Sequence, residues 1–126
     1  MNRRVLIVED DPLTSKLMRD VLHAKGFETR EIGDGSAALS TAVDMCAGVV
    51  IMDVGLPGMD GVEASRLLKA DPRTAEVPIV AVTAYVMPGD EERMQTAGCD
   101  AFLRKPLRLL DLVKVVESLV TGDQPV

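Results

Sequence analysis

With 126 residues, 47% of them hydrophobic, the chain can bury one full core and leaves little for a second domain. A net charge of −6 with no basic block argues against a free-standing nucleic-acid binder. No apolar run approaches the roughly 20 residues that span a bilayer, and the run after Met1-Asn2-Arg3-Arg4 is too short for a signal-peptide core. A cytoplasmic protein with no membrane contact is expected.

Arg4 to Glu9 reads as a first strand, with Val5-Leu6-Ile7-Val8 running into Glu9-Asp10-Asp11. Pro12 to Lys25 reads as a helix. Proline suits a first turn, where no amide donor is needed. Leu13, Leu17, Val21 and Ala24 form an apolar stripe at helical spacing, and Gly26 ends the helix. Phe27 to Ile32 is a second strand, partly polar and so placed at an edge. Gly33-Asp34-Gly35 is a turn. Ser36 to Met45 is a helix, with Ala37, Leu39, Ala42 and Val43 apolar. Ala47 to Asp53 is almost continuously apolar, as a central parallel strand should be.

A loop rich in breakers follows at residues 55–61, with Pro57 and Gly58 as turn formers and Gly61 opening the next helix for packing reasons. That helix covers Val62 to Ala70, with Val62, Leu67 and Leu68 inward, and Asp71-Pro72 ends it. Val77 to Thr83 is the fourth strand. Met87-Pro88-Gly89 is a loop, Asp90 to Ala97 a short helix, and Gly98 its stop. Ala101 to Arg104 is the fifth strand, and Leu109 to Val120 an amphipathic helix on Leu109, Leu112, Val113, Val116 and Leu119. Strands alternating with helices call for an α/β fold with a parallel sheet covered on both faces. One domain over residues 1–122 and a short tail, 123–126, are expected. Cys46 and Cys99 lack a Cys-x-x-Cys pattern and read as small core residues. The seven methionines read as gap fillers, and His23, off the apolar stripe, as a solvated surface group.

Four of the strands end in residues that can do chemistry: Glu9-Asp10-Asp11, Asp53, Thr83 and Arg104-Lys105-Pro106. Parallel neighbours would bring these ends to one edge of the sheet, where open α/β sheets bind ligands. A carboxylate cluster, a hydroxyl and a lysine in one crevice suit Mg²⁺-assisted phosphoryl transfer to a protein side chain. Three carboxylates about 4 Å apart repel by roughly 4 kcal/mol per pair at an effective dielectric near 20. A divalent cation relieves that repulsion.

The pattern resembles the receiver domain of two-component response regulators. The residues that carry it are Val8-Glu9-Asp10-Asp11, Asp53 through Gly61, Thr83-Ala84 and Lys105-Pro106, in order and at the right strand ends. The resemblance implies a doubly wound, flavodoxin-like five-stranded sheet of order 2-1-3-4-5. It implies Asp53 as phosphoacceptor, taking its phosphoryl group from a histidine kinase or histidine phosphotransfer protein. It implies Mg²⁺ held by Glu9, Asp10, Asp53 and the Gly55 backbone carbonyl. Thr83 and Lys105 would contact the phosphoryl group, and a cis bond before Pro106 would aim the lysine inward. Asp11 would cap the first helix in preference to touching the metal.

Thr83, Phe102 and Tyr85 would form the switch. Phenylalanine at 102, where many members carry tyrosine, removes any hydroxyl-based readout. Helix one and the loops around the site would dock the kinase. The fourth helix, fifth strand and fifth helix would face downstream effectors. The chain ends one helix after Lys105-Pro106, as in stand-alone receivers without an output domain, and its opening, Asp90-Glu91-Glu92-Arg93 helix and tail resemble those of cell-cycle regulators.

Two other functions compete. An aspartate-nucleophile Mg²⁺ phosphatase would carry a second acid two residues after Asp53, where Gly55 stands. An unphosphorylated receiver-shaped scaffold would not need intact acids, Thr83 and Lys105. The expected protein is therefore a signalling switch and not an enzyme beyond its own phosphorylation and dephosphorylation.

Overall fold

A computed structural model describes residues 2–55, 60–84 and 89–121. The expectations for Pro57, Gly58, Tyr85, Met87-Pro88 and the tail lie outside these residues. Five strands, β1 (Arg4–Val8), β2 (Glu28–Ile32), β3 (Val49–Asp53), β4 (Ile79–Thr83) and β5 (Ala101–Arg104), alternate with five helices. The helices are α1 (Pro12–Ala24), α2 (Ala38–Met45), α3 (Gly61–Ala70), α4 (Asp90–Thr96) and α5 (Leu109–Thr121). The second helix begins as a single 3-10 turn, Gly35–Ala37, with Asp34 as its cap. The sheet is wholly parallel, in the order β2-β1-β3-β4-β5. The partly polar β2 lies at an edge, as its composition requires.

Strand side chains alternate between two faces, and the two cores follow that period. Val5, Ile7, Val49, Ile51, Val80 and Val82 pack with α1 and α5 through Met18, Leu22, Leu112, Val113 and Val116. Leu6, Val8, Val50, Met52 and Ile79 pack on the other face with α2 and α3 through Ala38, Ala42, Ala64 and Leu68. A third cluster, Val62, Ala81, Met94 and Ala97, joins α3 and α4 to the sheet. Every residue of β3 and β4 is buried. Each large aliphatic side chain so placed contributes about 1.5–3 kcal/mol against solvent exposure.

Three expectations are corrected by this packing. The buried face of α1 is Ser15, Met18 and Leu22, while Leu13 and Leu17 are 64% and 45% exposed. Both stripes recur every four residues. The chain passes into β2 through Phe27, which is buried in the same cluster as Leu22 and donates its amide to the Leu22 carbonyl at 3.1 Å. Leu67 points outward on α3, and Ala64, Ser65 and Leu68 face the sheet. Cys46 is exposed, in a left-handed conformation (φ 52°) that caps α2. Cys99 is half-buried against the third cluster. His23 is exposed as expected, its Nε2 2.8 Å from the Thr29 hydroxyl.

Candidate functional site

The sheet order creates a parting of the chain between β1 and β3. From β1 the chain crosses to β2 on one side, and from β3 to β4 on the other. The crevice above such a point is where open α/β sheets bind ligands. Here Glu9 and Asp10 follow β1 and Asp53 ends β3. One carboxylate oxygen from each of the three lies within 4.8 Å of the others. Glu9 and Asp53 are buried and Asp10 is exposed.

The two buried acids are held by local backbone. The Gly55 amide donates to Asp53 Oδ1 at 3.0 Å, and the Asp11 amide to Glu9 Oε2 at 3.3 Å. Val54 donates to the Val82 carbonyl at 2.9 Å and Glu9 to the Ile32 carbonyl at 2.9 Å, tying both strand ends into the sheet. Asp11 turns away from the cluster. Its carboxylate accepts from the Thr14 amide at 3.2 Å and from the Thr14 hydroxyl, capping α1. Those hydrogen bonds hold its carboxyl below the usual range. Asp11 thus caps α1 as expected, while Asp10 lies in the acidic cluster.

Lys105 reaches the cluster from the end of β5. Its amide donates to the Thr83 carbonyl at 2.8 Å, and the peptide bond to Pro106 is cis. Its Nζ donates to Glu9 Oε1 at 2.6 Å and to Asp53 Oδ2 at 3.3 Å. The Glu9 pairing was not legible in the sequence: 96 positions separate the partners, and the contact depends on the length of the glutamate arm. Burial pulls the Lys105 ammonium towards neutrality. The Glu9 hydrogen bond and the charges of Asp53 and Glu9 more than offset this and leave its pKa above the ordinary value. Burial pushes the Glu9 carboxyl up to about 7, and side-chain hydrogen bonding with Asp53 adds to the rise, while Lys105 opposes it.

Thr83 is buried at the end of β4, in register with Arg104. Phe102, opposite Ala81, packs half-buried against the cluster of Val62, Ala81, Met94 and Ala97. Two features of the site are not visible in residue spacing. Gly61 lies so close to β3 that a Cβ there would stand 2.3 Å from the Asp53 carbonyl oxygen. Beside Lys105, Leu17, Met18, Pro106, Leu107 and Leu109 line a cavity of about 240 Å³.

Residues 5–117 match the response regulator receiver domain family. This chain belongs to that family. It is 38% identical over 123 residues to the polar-differentiation response regulator DivK of Brucella ovis, covering 98% of this chain and 99% of that protein. A receiver domain of a sensor histidine kinase from Pseudomonas aeruginosa, solved with a magnesium ion coordinated in its active-site cleft, superposes with a TM-score of 0.87. It is 29% identical, over 96% of this chain and 99% of that one. A response regulator from Chloroflexus aurantiacus superposes at 0.89, also at 29% identity, with 96% and 99% coverage. The receiver fold, with its flavodoxin-like order, is thus shared, and the acidic crevice lies at the carboxyl ends of its central strands. Among the described residues no helix is long and apolar enough to cross a membrane.

Proposed function

We propose that this receiver is a phosphorylation switch of a two-component phosphorelay, with Asp53 as the phosphoacceptor. The observation that carries the reading is the meeting of Glu9, Asp10, Asp53 and Lys105 in one crevice. A carboxylate oxygen of Asp53 attacks the phosphorus of a phosphohistidine. The O–P bond forms as the P–N bond breaks, and the donor imidazole leaves with the electron pair. The three carboxylates are hard oxygen donors of the kind Mg²⁺ takes, and Glu9, Asp10, Asp53 and the Gly55 carbonyl would hold it. When bound, Mg²⁺ neutralises charge on the transferring group. Lys105 pairs with phosphoryl oxygens, and the Thr83 hydroxyl donates to one of them.

The added charge draws Thr83 and its backbone towards Asp53. Phe102, which packs here against Val62, Ala81, Met94 and Ala97, then fills the space Thr83 vacates, shifting the population of α4–β5–α5 arrangements and with it effector affinity. Tyr85, two residues past Thr83, belongs to the same switch and shields the phosphoryl group or presents its hydroxyl to partners.

The phosphodonor docks beside the site on α1, where Leu13 and Leu17 are exposed and Leu17 lines the apolar cavity beside Lys105. The protein acts in the cytoplasm on protein partners, as a switch that catalyses only its own phosphorylation and dephosphorylation. Similarity to DivK supports a role in cell-cycle or cell-division control.

Acetyl phosphate and Mg²⁺ followed by intact mass measurement test the reading. One added phosphoryl group is expected in the wild type and none in Asp53→Asn. A wild type that takes up no phosphoryl group and forms no stable beryllofluoride complex would identify a scaffold instead.

A further inference from the structure

Glu9 is placed to do more than face a metal. Its side chain is 1% exposed, against 21% for Lys105 and 8% for Asp53. Its two oxygens are divided between partners: Oε2 takes the Asp11 amide, and Oε1 takes the Lys105 ammonium. The Lys105 Nζ is 2.6 Å from Glu9 and 3.3 Å from Asp53. Charge-assisted N–H···O bonds are short, at about 2.7–2.9 Å, and the Asp53 contact is well beyond that length, so Glu9 holds the primary pair and Asp53 the secondary one. The Lys105 backbone is fixed independently through the Thr83 carbonyl. Lys105 is therefore held at both ends, its backbone by β4 and its ammonium by Glu9 at the end of β1.

Resting on the reading of Asp53 as nucleophile, we propose that Glu9 is the positioning residue for Lys105. It draws the ammonium off Asp53 so that the Asp53 carboxylate is free to attack, and it keeps the ammonium within reach of the incoming phosphoryl oxygens. A carboxylate fully paired with an ammonium is a poorer nucleophile, because its lone pairs are engaged and its charge is neutralised. Without Glu9 the ammonium keeps its hydrogen bond to Asp53 and moves onto it. The glutamate arm matters as well as its charge, since an aspartate at position 9 is one methylene shorter.

Two readouts separate positioning from metal holding. The first uses metal-free protein and follows the ¹⁵N-attached ammonium protons of Lys105, assigned with Lys105→Met. Their signal is visible where ion pairing slows proton exchange. It should persist in Asp53→Asn and be lost or strongly shifted in Glu9→Gln. The reverse pattern overturns the proposal. The second is the rate of labelling by acetyl phosphate as Mg²⁺ is raised to saturation. Glu9→Gln should keep a deficit between several-fold and about 100-fold at saturating Mg²⁺, the scale of loss from a displaced reacting group. Glu9→Asp should recover only part of it. Full recovery of Glu9→Gln at saturating Mg²⁺ overturns the proposal and leaves Glu9 as a metal-holding group alone. Melting curves confirm that the near-isosteric amide folds. A wild type that takes no label overturns the phosphoacceptor reading, whereas the ammonium signal still decides the pairing.

Discussion

Gly61 opens α3 where no side chain fits. A Cβ there would stand 2.3 Å from the Asp53 carbonyl oxygen and 2.9 Å from the Val54 Cα, both backbone atoms that cannot step aside. The residue therefore sets how closely α3 approaches the strand that carries Asp53. Gly61→Ala should destabilise the fold by about 1–3 kcal/mol, the usual cost of forcing a methyl into packed structure. Chemical denaturation reads the loss, and labelling of Asp53 should slow in the same variant because its backbone is displaced. An unchanged midpoint would show that the α3 entrance moves freely. The glycine was legible as a helix-opening residue, but its contact with Asp53 was not, since the clash depends on how closely the start of α3 approaches the end of β3 in space. Cys46 shows the opposite difficulty: its size and apolarity read as core, yet it caps a helix in a left-handed conformation on the surface.

The two ends of α3 are closed by aspartates. At its start Asp60 accepts from the Glu63 amide at 2.9 Å, worth about 1 kcal/mol relative to alanine. At its end Asp71 accepts from the Arg73 amide at 2.8 Å and from both arms of the Arg73 guanidinium at 3.1 and 2.9 Å. Those bonds lower its carboxyl from 3.8 to about 2. A carboxyl with a depressed folded-state pKa stabilises the fold above its unfolded pKa and loses that contribution as pH falls through the folded one. Wild type should therefore exceed Asp71→Asn in stability above pH 4 and converge with it towards pH 2. Urea titrations across that range check the sign; curves that run parallel to pH 2 would sink the assignment. Element identity was readable because strand runs are continuously apolar and helix ends carry their own chemistry. Element facing was less readable. The α1 sequence holds two stripes at the same spacing, Leu13-Leu17-Val21 and Met18-Leu22, and the tertiary packing buries the second while Leu13 and Leu17 stay exposed and Val21 is half-buried.

Over the whole molecule, one topological fact organises the site. The sheet order 2-1-3-4-5 makes β1 and β3 neighbours, so carboxylates 43 or more positions apart in sequence share one crevice at a chain parting. Glu9, Asp10, Asp53, Thr83 and Lys105 were all legible at strand ends, because a parallel sheet sends its carboxyl ends to one edge. Their pairing was not legible, because it depends on side-chain reach across strands. Three acids clustered around the Lys105 ammonium leave negative charge in excess, a liability to the fold because like charges in close proximity repel. Mg²⁺ should therefore stabilise the native state, by about 2.7 kcal/mol at a concentration roughly 100 times its Kd, because the unfolded chain scatters the ligands. For a domain of this size such a gain raises Tm by several degrees, read by thermal denaturation with and without chelator. Asp10→Asn should remove most of that Mg²⁺-dependent rise while leaving the chelated Tm unchanged or higher, because Asp10 is exposed and its neutralisation relieves repulsion. An equal Mg²⁺-dependent rise in Asp10→Asn would place the cation elsewhere on the molecule.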